Sequence, residues 1–93
     1  MKSEIVKKIV EREFLGALAQ SGVDVEGEIS AEIRLLDSGL DSLGFAILVT
    51  TLEDRLGYDP FTLMEEAVYP QTYGEFMNIY LKFSDHLSAD VTA

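Results

Sequence analysis

One serine in this chain stands where a covalent modification would be favoured. Ser42 lies within Gly39-Leu40-Asp41-Ser42-Leu43, after a loop and at the start of a long apolar helix pattern. The first amides of a helix are unpaired and the helix dipole is positive at that end, so a phosphodiester on Ser42 would be stabilised there. The pattern also permits a simpler interpretation, in which Asp41 or Ser42 only caps the helix.

The remaining residues do not indicate a catalytic site. A nucleophile needs a base and an oxyanion stabiliser, but the single histidine, His86, lies in a C-terminal segment without hydrophobic periodicity. The chain has no cysteine, which excludes disulfides, a thiolate nucleophile and cysteine-ligated metals. Asp37 and Asp41 flank Ser42, yet their spacing lacks the order of a calcium-binding loop. We predict no catalytic residue and no metal site, and an enzyme that depends on His86 or Asp41 is the least supported hypothesis.

The length of the chain and its net charge limit the number of domains and the kinds of partner that it can bind. The 93 residues suffice for one small domain, and an apolar fraction of 47% argues for a folded chain. With 17 acidic against 7 basic residues, the net charge is −10. This charge disfavours nucleic acid and anionic membrane surfaces and favours partners with a basic patch. No apolar run is long enough for a signal or membrane-spanning segment, so we expect a cytoplasmic protein, and we expect a monomer.

The first part of the chain predicts one amphipathic helix and a long connection. Ser3 is the expected N-cap. Apolar residues then recur at helical spacing: Val6, Ile9, Val10, Phe14, Ala17 and Leu18. From residue 19 to 40 the pattern is loose and interrupted by glycines. Four apolar residues could anchor this connection to a core: Ile29, Ile33, Leu35 and Leu36. The sequence leaves open whether part of residues 30–36 forms a short helical turn.

Two helices are predicted directly after this connection. Asp41 opens the second helix, and Gly57 offers the left-handed residue that commonly ends one. Asp59 followed by Pro60 is typical of an N-cap and first helical position. We therefore predict a short third helix that runs to about residue 67.

The fourth helix completes an all-α fold. Thr72 and Glu75 form a capping box at its start. Its predicted buried stripe consists of Phe76, Ile79, Tyr80 and Phe83. The prediction is a four-helix bundle in residues 1–84, with three main helices, a short third helix and a long first loop. Residues 85–93 have no periodicity and are predicted to form a disordered tail.

The sequence around Ser42 resembles the attachment site of the acyl carrier protein family. The resemblance is carried by Asp-Ser-Leu at residues 41–43, by Leu35-Leu36-Asp37-Ser38-Gly39 before it, and by Leu56-Gly57 and Tyr58-Asp59-Pro60 after the helix. It implies that Ser42 holds a 4′-phosphopantetheine arm, which carries acyl or aminoacyl groups as thioesters. The arm would come from coenzyme A through a phosphopantetheinyl transferase. Further partners would be an acyl- or aminoacyl-loading ligase and downstream biosynthetic enzymes, and the carrier itself would not be an enzyme.

The resemblance also implies roles for the neighbours of Ser42. Asp41 matches an aspartate that lies close to the metal assisting arm transfer. Leu43 matches the apolar residue on which partner enzymes close, although it could equally be a core leucine. Housekeeping fatty-acid carriers usually place acids two and five residues after the serine, where this chain has Gly44 and Ile47. This departure favours a stand-alone carrier of a dedicated polyketide, peptide or modified-lipid pathway.

Two sets of contact residues follow from this resemblance. The predicted partner-binding residues are Leu43, Ile47, Glu53 and Asp54. Cargo would be covered between the second and third helices by some of Phe45, Ala46, Val49, Leu63, Met64, Val68 and Tyr73, each of which could instead be ordinary core. The remaining alternative is an acidic helical interaction module in which Ser42 is never modified.

Overall fold

The computed structural model describes residues 1–25 and 27–91. Four α-helices follow one another: α1 (Lys2–Gln20), α2 (Ser42–Leu56), α3 (Pro60–Leu63) and α4 (Tyr73–Lys82). Short 3-10 helices cover Leu35–Asp37 and Ser84–His86. The described residues contain no strand, apart from a single antiparallel bridge between Arg34 and Thr72. The predicted all-α fold is therefore confirmed. No helix in the described ranges combines the length and the apolar character needed to cross a lipid bilayer.

The buried face of α1 forms one side of the core. Five of the six predicted residues are buried there, namely Val6, Ile9, Val10, Phe14 and Leu18, and Ala17 is half-buried against them. The predicted N-cap is wrong, because the helix already begins at Lys2 with Met1 at the cap position and no side-chain cap. Ser3 is thus a residue of the first turn.

Backbone hydrogen bonds attach the long connection between α1 and α2 to the start of α4. The amide of Leu35 donates to the carbonyl of Gln71 at 2.9 Å, and the amide of Tyr73 donates to the carbonyl of Ile33 at 2.9 Å. Leu35 is buried and Ile33 half-buried, but Leu36 is 90% exposed, so the prediction that Leu36 is an anchor is wrong. Both leucines lie in a 3-10 helix, whose successive side chains point about a third of a turn apart. Only one of them can therefore face the core.

The third helix is shorter than predicted. It has a cap from the Asp59 carboxylate, which accepts from the Phe61 amide at 2.9 Å, and it ends at Leu63. The following residue, Met64, already has extended dihedrals. Residues 65–69 are all exposed. A helix this short depends on tertiary packing, and those residues bury too little to extend it.

The C-terminal segment packs on the bundle. The sequence predicted a disordered tail from residue 85, but Ser84–His86 form a 3-10 helix and Leu87 is buried. The amide of Ser88 donates to the carbonyl of Leu56 at 3.0 Å, and Val91 packs against the core. The apolar residues of this segment, Leu87, Ala89 and Val91, do not recur at helical spacing, which explains the difference over residues 85–91. Residues 92–93 of the predicted tail lie outside the described residues.

Three tyrosines are buried in the core. The hydroxyl of Tyr58 donates to the carbonyl of Tyr80 at 2.7 Å and so connects the α2–α3 corner to α4. Burial raises the pKa of Tyr58 to about 12. Burial, with a smaller effect from Glu11, raises the pKa of Tyr73 to about 12. The pKa of Tyr80 is also raised, mainly by burial and then by Asp59.

We expect these tyrosines to make the fold sensitive to alkali. An unfolded tyrosine loses its proton near pH 10, whereas folded Tyr58 and Tyr73 keep theirs until about pH 12. Between these values the folded state binds more protons, so the stabilisation is complete below pH 10 and is lost as the pH rises through 12. Urea titrations at about pH 8 and about pH 11 measure the difference in free energy of unfolding.

An exposed tyrosine provides the control for this experiment. Tyr69 is 82% exposed, so Tyr69→Phe should leave the alkaline loss unchanged. Tyr58→Phe removes one shifted group and should reduce that loss, although it also removes a hydrogen bond worth about 1 kcal/mol at neutral pH. Equal free energies of unfolding at the two pH values would contradict the expectation.

Candidate functional site

The loop before α2 is built to fix the first turn of that helix. Gly39 adopts φ +104°, which favours glycine, and a side chain there would also collide with Val23. The buried hydroxyl of Ser38 donates to the carbonyl of Leu35 at 2.6 Å. Asp41 is the N-cap, because its Oδ1 accepts from the amide of Gly44 at 2.7 Å. The predicted capping role of Asp41 is confirmed.

Ser42 is the first residue of α2 and its side chain is exposed. Among the described residues, the amides of Ser42 and Leu43 have no hydrogen-bond acceptor. These amides and the positive end of the α2 dipole favour an anionic group on the serine oxygen. The site therefore fits a phosphodiester, which needs an accessible hydroxyl and a field that tolerates negative charge.

Residues that could complete a catalytic centre are not brought to Ser42. His86 is exposed, and its ring lies 6.3 Å from the ring of Tyr58 and 6.1 Å from that of Phe83. Asp37 is exposed in the 3-10 helix before the loop. In residues 1–25 and 27–91, no group of three or more histidines or acidic residues is arranged to hold a metal.

The predicted partner-binding residues all lie on the surface of α2. Leu43 is 68% exposed and Ile47 is 57% exposed, so the alternative that Leu43 is a core leucine is wrong. Glu53 and Asp54 are exposed as well. Leu43, Ile47 and Asp54 are four and seven residues apart and share one face of the helix, while Glu53 is turned away by about a quarter turn. The structure thus presents an apolar front with acids only at its far end.

The predicted cargo-lining residues fall into three groups. Phe45, Val49 and Met64 are half-buried. Ala46, Leu63 and Val68 are exposed. Tyr73 is buried against the ring of Phe14 at 4.8 Å, and it borders a cleft of about 330 Å³ between α1 and α4 instead. The structure therefore does not place Tyr73 beside the other members, and cargo sequestration between α2 and α3 stays a prediction.

Aromatic rings occupy the space beneath α2 and α3. The ring of Phe76 lies 5.3 Å from that of Phe45, 6.3 Å from that of Phe61 and 5.0 Å from that of Tyr80. Rings at these separations are in direct contact. Cargo entering here would have to displace Phe61 or α3 as a whole.

A cleft next to Ser42 was missed by the sequence analysis. It has a volume of about 460 Å³ and lies between α1 and α2, with Asp41, Leu43 and Gly44 at its border. Gly16 and Ala17 form its α1 side. Two sequence signals were available, Gly16 and Gly44, because a glycine inside a helical pattern usually has a packing or functional reason.

Comparison with known proteins identifies the family. A family described as Phosphopantetheine attachment site matches residues 13–62, which is more than half of the chain and includes Ser42 and all of α2. The chain belongs to this family. No curated protein and no solved structure gave a match. The protein is thus a phosphopantetheine-dependent carrier, with 4′-phosphopantetheine as its prosthetic group and no catalytic role of its own. Carriers of this family interact with a phosphopantetheinyl transferase and with biosynthetic enzymes.

Proposed function

We propose that Ser42 is the attachment residue and that the arm carries acyl or aminoacyl groups as thioesters. The observation that carries this proposal is the exposed hydroxyl of Ser42 on the first residue of α2, inside the matched residues 13–62. When bound, the arm supplies the thiol that the cysteine-free chain lacks.

The chain's own residues prepare Ser42 for this role. Asp41 fixes the first turn of α2 through its bond to the Gly44 amide, and Gly39 allows the backbone turn before it. The amides at the start of α2 favour the negative charge of the phosphodiester. Ser38, three residues earlier than Asp41, is buried and donates its hydroxyl proton to the Leu35 carbonyl, so it cannot serve as a competing acceptor without opening the loop.

Intact mass spectrometry tests the proposal directly. The purified protein is incubated with a phosphopantetheinyl transferase, magnesium and coenzyme A, and one phosphopantetheine mass should be gained. Tandem fragmentation should then place this mass on Ser42. No gain in mass, or a gain on another serine, would contradict the proposal, and the former result would favour an unmodified acidic interaction module.

The apolar front of α2 supports a dedicated pathway of the polyketide, peptide or modified-lipid kind. Fatty-acid enzymes that bind a carrier through pairs of arginine and lysine side chains need acidic residues on this face. Charges at the edge of an interface govern the association rate and the choice of partner. This chain presents exposed Leu43 and Ile47 there, and acids follow only at Glu53 and Asp54.

We expect Ile47→Glu to raise the loading rate of the holo-carrier by a fatty-acid malonyl transferase several-fold. Ile47 is 57% exposed, so the new carboxylate would remain hydrated and the fold should tolerate it. Gly44 is a poorer position for an added acid. A Cβ there would lie 3.2 Å from Oδ1 of Asp41 and 3.3 Å from Cδ2 of Leu40, which crowds the cap.

A neutral substitution separates charge from lost apolar surface. Ile47→Gln removes the apolar side chain without adding a charge, and its loading rate should stay near that of the wild type. Circular dichroism of each variant checks the fold. A wild-type loading rate equal to that of a housekeeping fatty-acid carrier would refute the assignment to a dedicated pathway.

A further inference from the structure

The cleft between α1 and α2 opens directly beside the attachment residue. Asp41 and Leu43, the two sequence neighbours of Ser42, both line it. The helices run antiparallel along it, so Ser21 lies near Gly44 at the Ser42 end and Glu13 lies with Thr51 at the other. The mouth of this cleft is therefore within reach of an enzyme bound at Ser42.

The middle of the cleft is apolar and open. Leu48 forms its floor and is 2% exposed, while Leu43 and Ile47 stand at its rim with most of their surface in water. On the α1 side, a Cβ at Gly16 would meet no atom within 4 Å. Glycine inside a helix costs about 1 kcal/mol relative to alanine, so α1 is weakened at the point where a side chain would fill the cleft.

Oxygen atoms surround this apolar centre. The carboxylate of Asp41 and the hydroxyl of Ser21 lie at one end, and the carboxylate of Glu13 lies at the other, 3.7 Å from Nε of Arg55. The cap uses only Oδ1 of Asp41, and because the residue is exposed its second carboxylate oxygen can accept a hydrogen bond from outside the chain. With a net charge of −10 on the chain, an occupant with a cationic donor is favoured over an acidic one.

We propose that the phosphopantetheinyl transferase acting on Ser42 inserts an apolar side chain, flanked by a lysine or arginine, into the α1–α2 cleft. The inference rests on the proposed attachment at Ser42. The apolar side chain covers Leu43 and Ile47 and occupies the space above Gly16, and the cation pairs with Asp41. Recognition thus extends from α2 onto α1, which is distant from Ser42 in sequence but adjacent to it in the fold.

Filling the cleft from the carrier side tests this inference. In Gly16→Leu the new side chain takes the place of the transferase side chain, so the KM of the apo-carrier should rise about tenfold while kcat stays within about twofold. Ala19→Leu is the matched control, because Ala19 is an exposed α1 residue that does not line the cleft, and its KM should equal that of the wild type. Thermal melts should show that Gly16→Leu is at least as stable as the wild type, since a glycine is removed from a helix.

A second variant and a binding measurement complete the test. Ile47→Ser removes exposed apolar surface from the rim and should raise KM in the same direction, even if Gly16→Leu fails to fold. In spectra of ¹⁵N-labelled apo-carrier titrated with transferase without coenzyme A, the amides of Gly16 and Ala17 should shift. A KM for both Gly16→Leu and Ile47→Ser within twofold of the control overturns the inference, and so does the absence of shifts on α1. If instead the wild type gains no arm at all, the proposed attachment itself fails.

Discussion

Replacement of Ser42 by alanine is expected to abolish arm attachment completely while leaving the helical fold intact. The hydroxyl is the proposed acceptor, and no other group at the start of α2 can take its place. The structural cost is small because Asp41 caps this helix through the Gly44 amide, and Ser42 itself is exposed. A surface substitution of this kind changes the free energy of unfolding by about 0.5 kcal/mol or less. Mass spectrometry after incubation with transferase, magnesium and coenzyme A reports attachment, and circular dichroism reports the fold.

Two substitutions provide the controls for Ser42→Ala. Ser3→Ala also removes an exposed serine hydroxyl from the first turn of a helix, but away from the α1–α2 cleft, and it should still accept the arm. Asp41→Ala removes the cap and should cost about 1 kcal/mol of stability, a loss that Ser42→Ala should not show. Retention of the full arm mass in Ser42→Ala would remove the basis of the proposed function.

Replacement of Phe76 by alanine is expected to cause the largest loss of stability in this chain. Phe76 is fully buried, and its ring contacts those of Phe14, Phe45, Phe61 and Tyr80. It therefore joins α4 to α1, α2 and α3 at once. Truncation of a buried phenylalanine costs about 3–5 kcal/mol, and a small domain has about 5–15 kcal/mol in total. The variant should be partly unfolded at physiological temperature.

Urea titration followed by circular dichroism measures this loss. Tyr69→Ala is the matched control, because Tyr69 is an aromatic residue with 82% of its surface exposed and its removal should cost about 0.5 kcal/mol or less. Equal transition midpoints for the two variants would show that the ring cluster around Phe76 is not the centre of the core.

The helix starts and stops that depend on local chemistry were predictable from sequence. Asp41 and Thr72 cap their helices through side chains that bond to an amide three residues on, and Gly57 ends α2 with φ +85°. Each of these interactions lies within one turn of chain. For the same reason Ser42 could be identified as the candidate site, since its position in the first turn is a local property.

The features that depend on distant contacts were not predictable. Leu87 is buried because the chain returns to the end of α2, where the Ser88 amide meets the Leu56 carbonyl. Likewise, the cleft beside Ser42 exists because the packing of the helices brings Gly16 of α1 and Ile47 of α2 to the same cleft. A pattern read along the chain contains the residue types but not the packing of α1 against α2.

The contact between Lys2 and the C-terminal segment bears on how this carrier can be tethered. Nζ of Lys2 donates to the carbonyl of Asp85 at 3.3 Å, so the start of α1 and the 3-10 helix at Ser84–His86 lie at the same end of the bundle. Ser42 lies at the opposite end, beside the last residues of α1, and the 19 residues of that helix span about 28 Å. A surface or a dye attached at Lys2 or Asp85 would therefore lie about one helix length from Ser42.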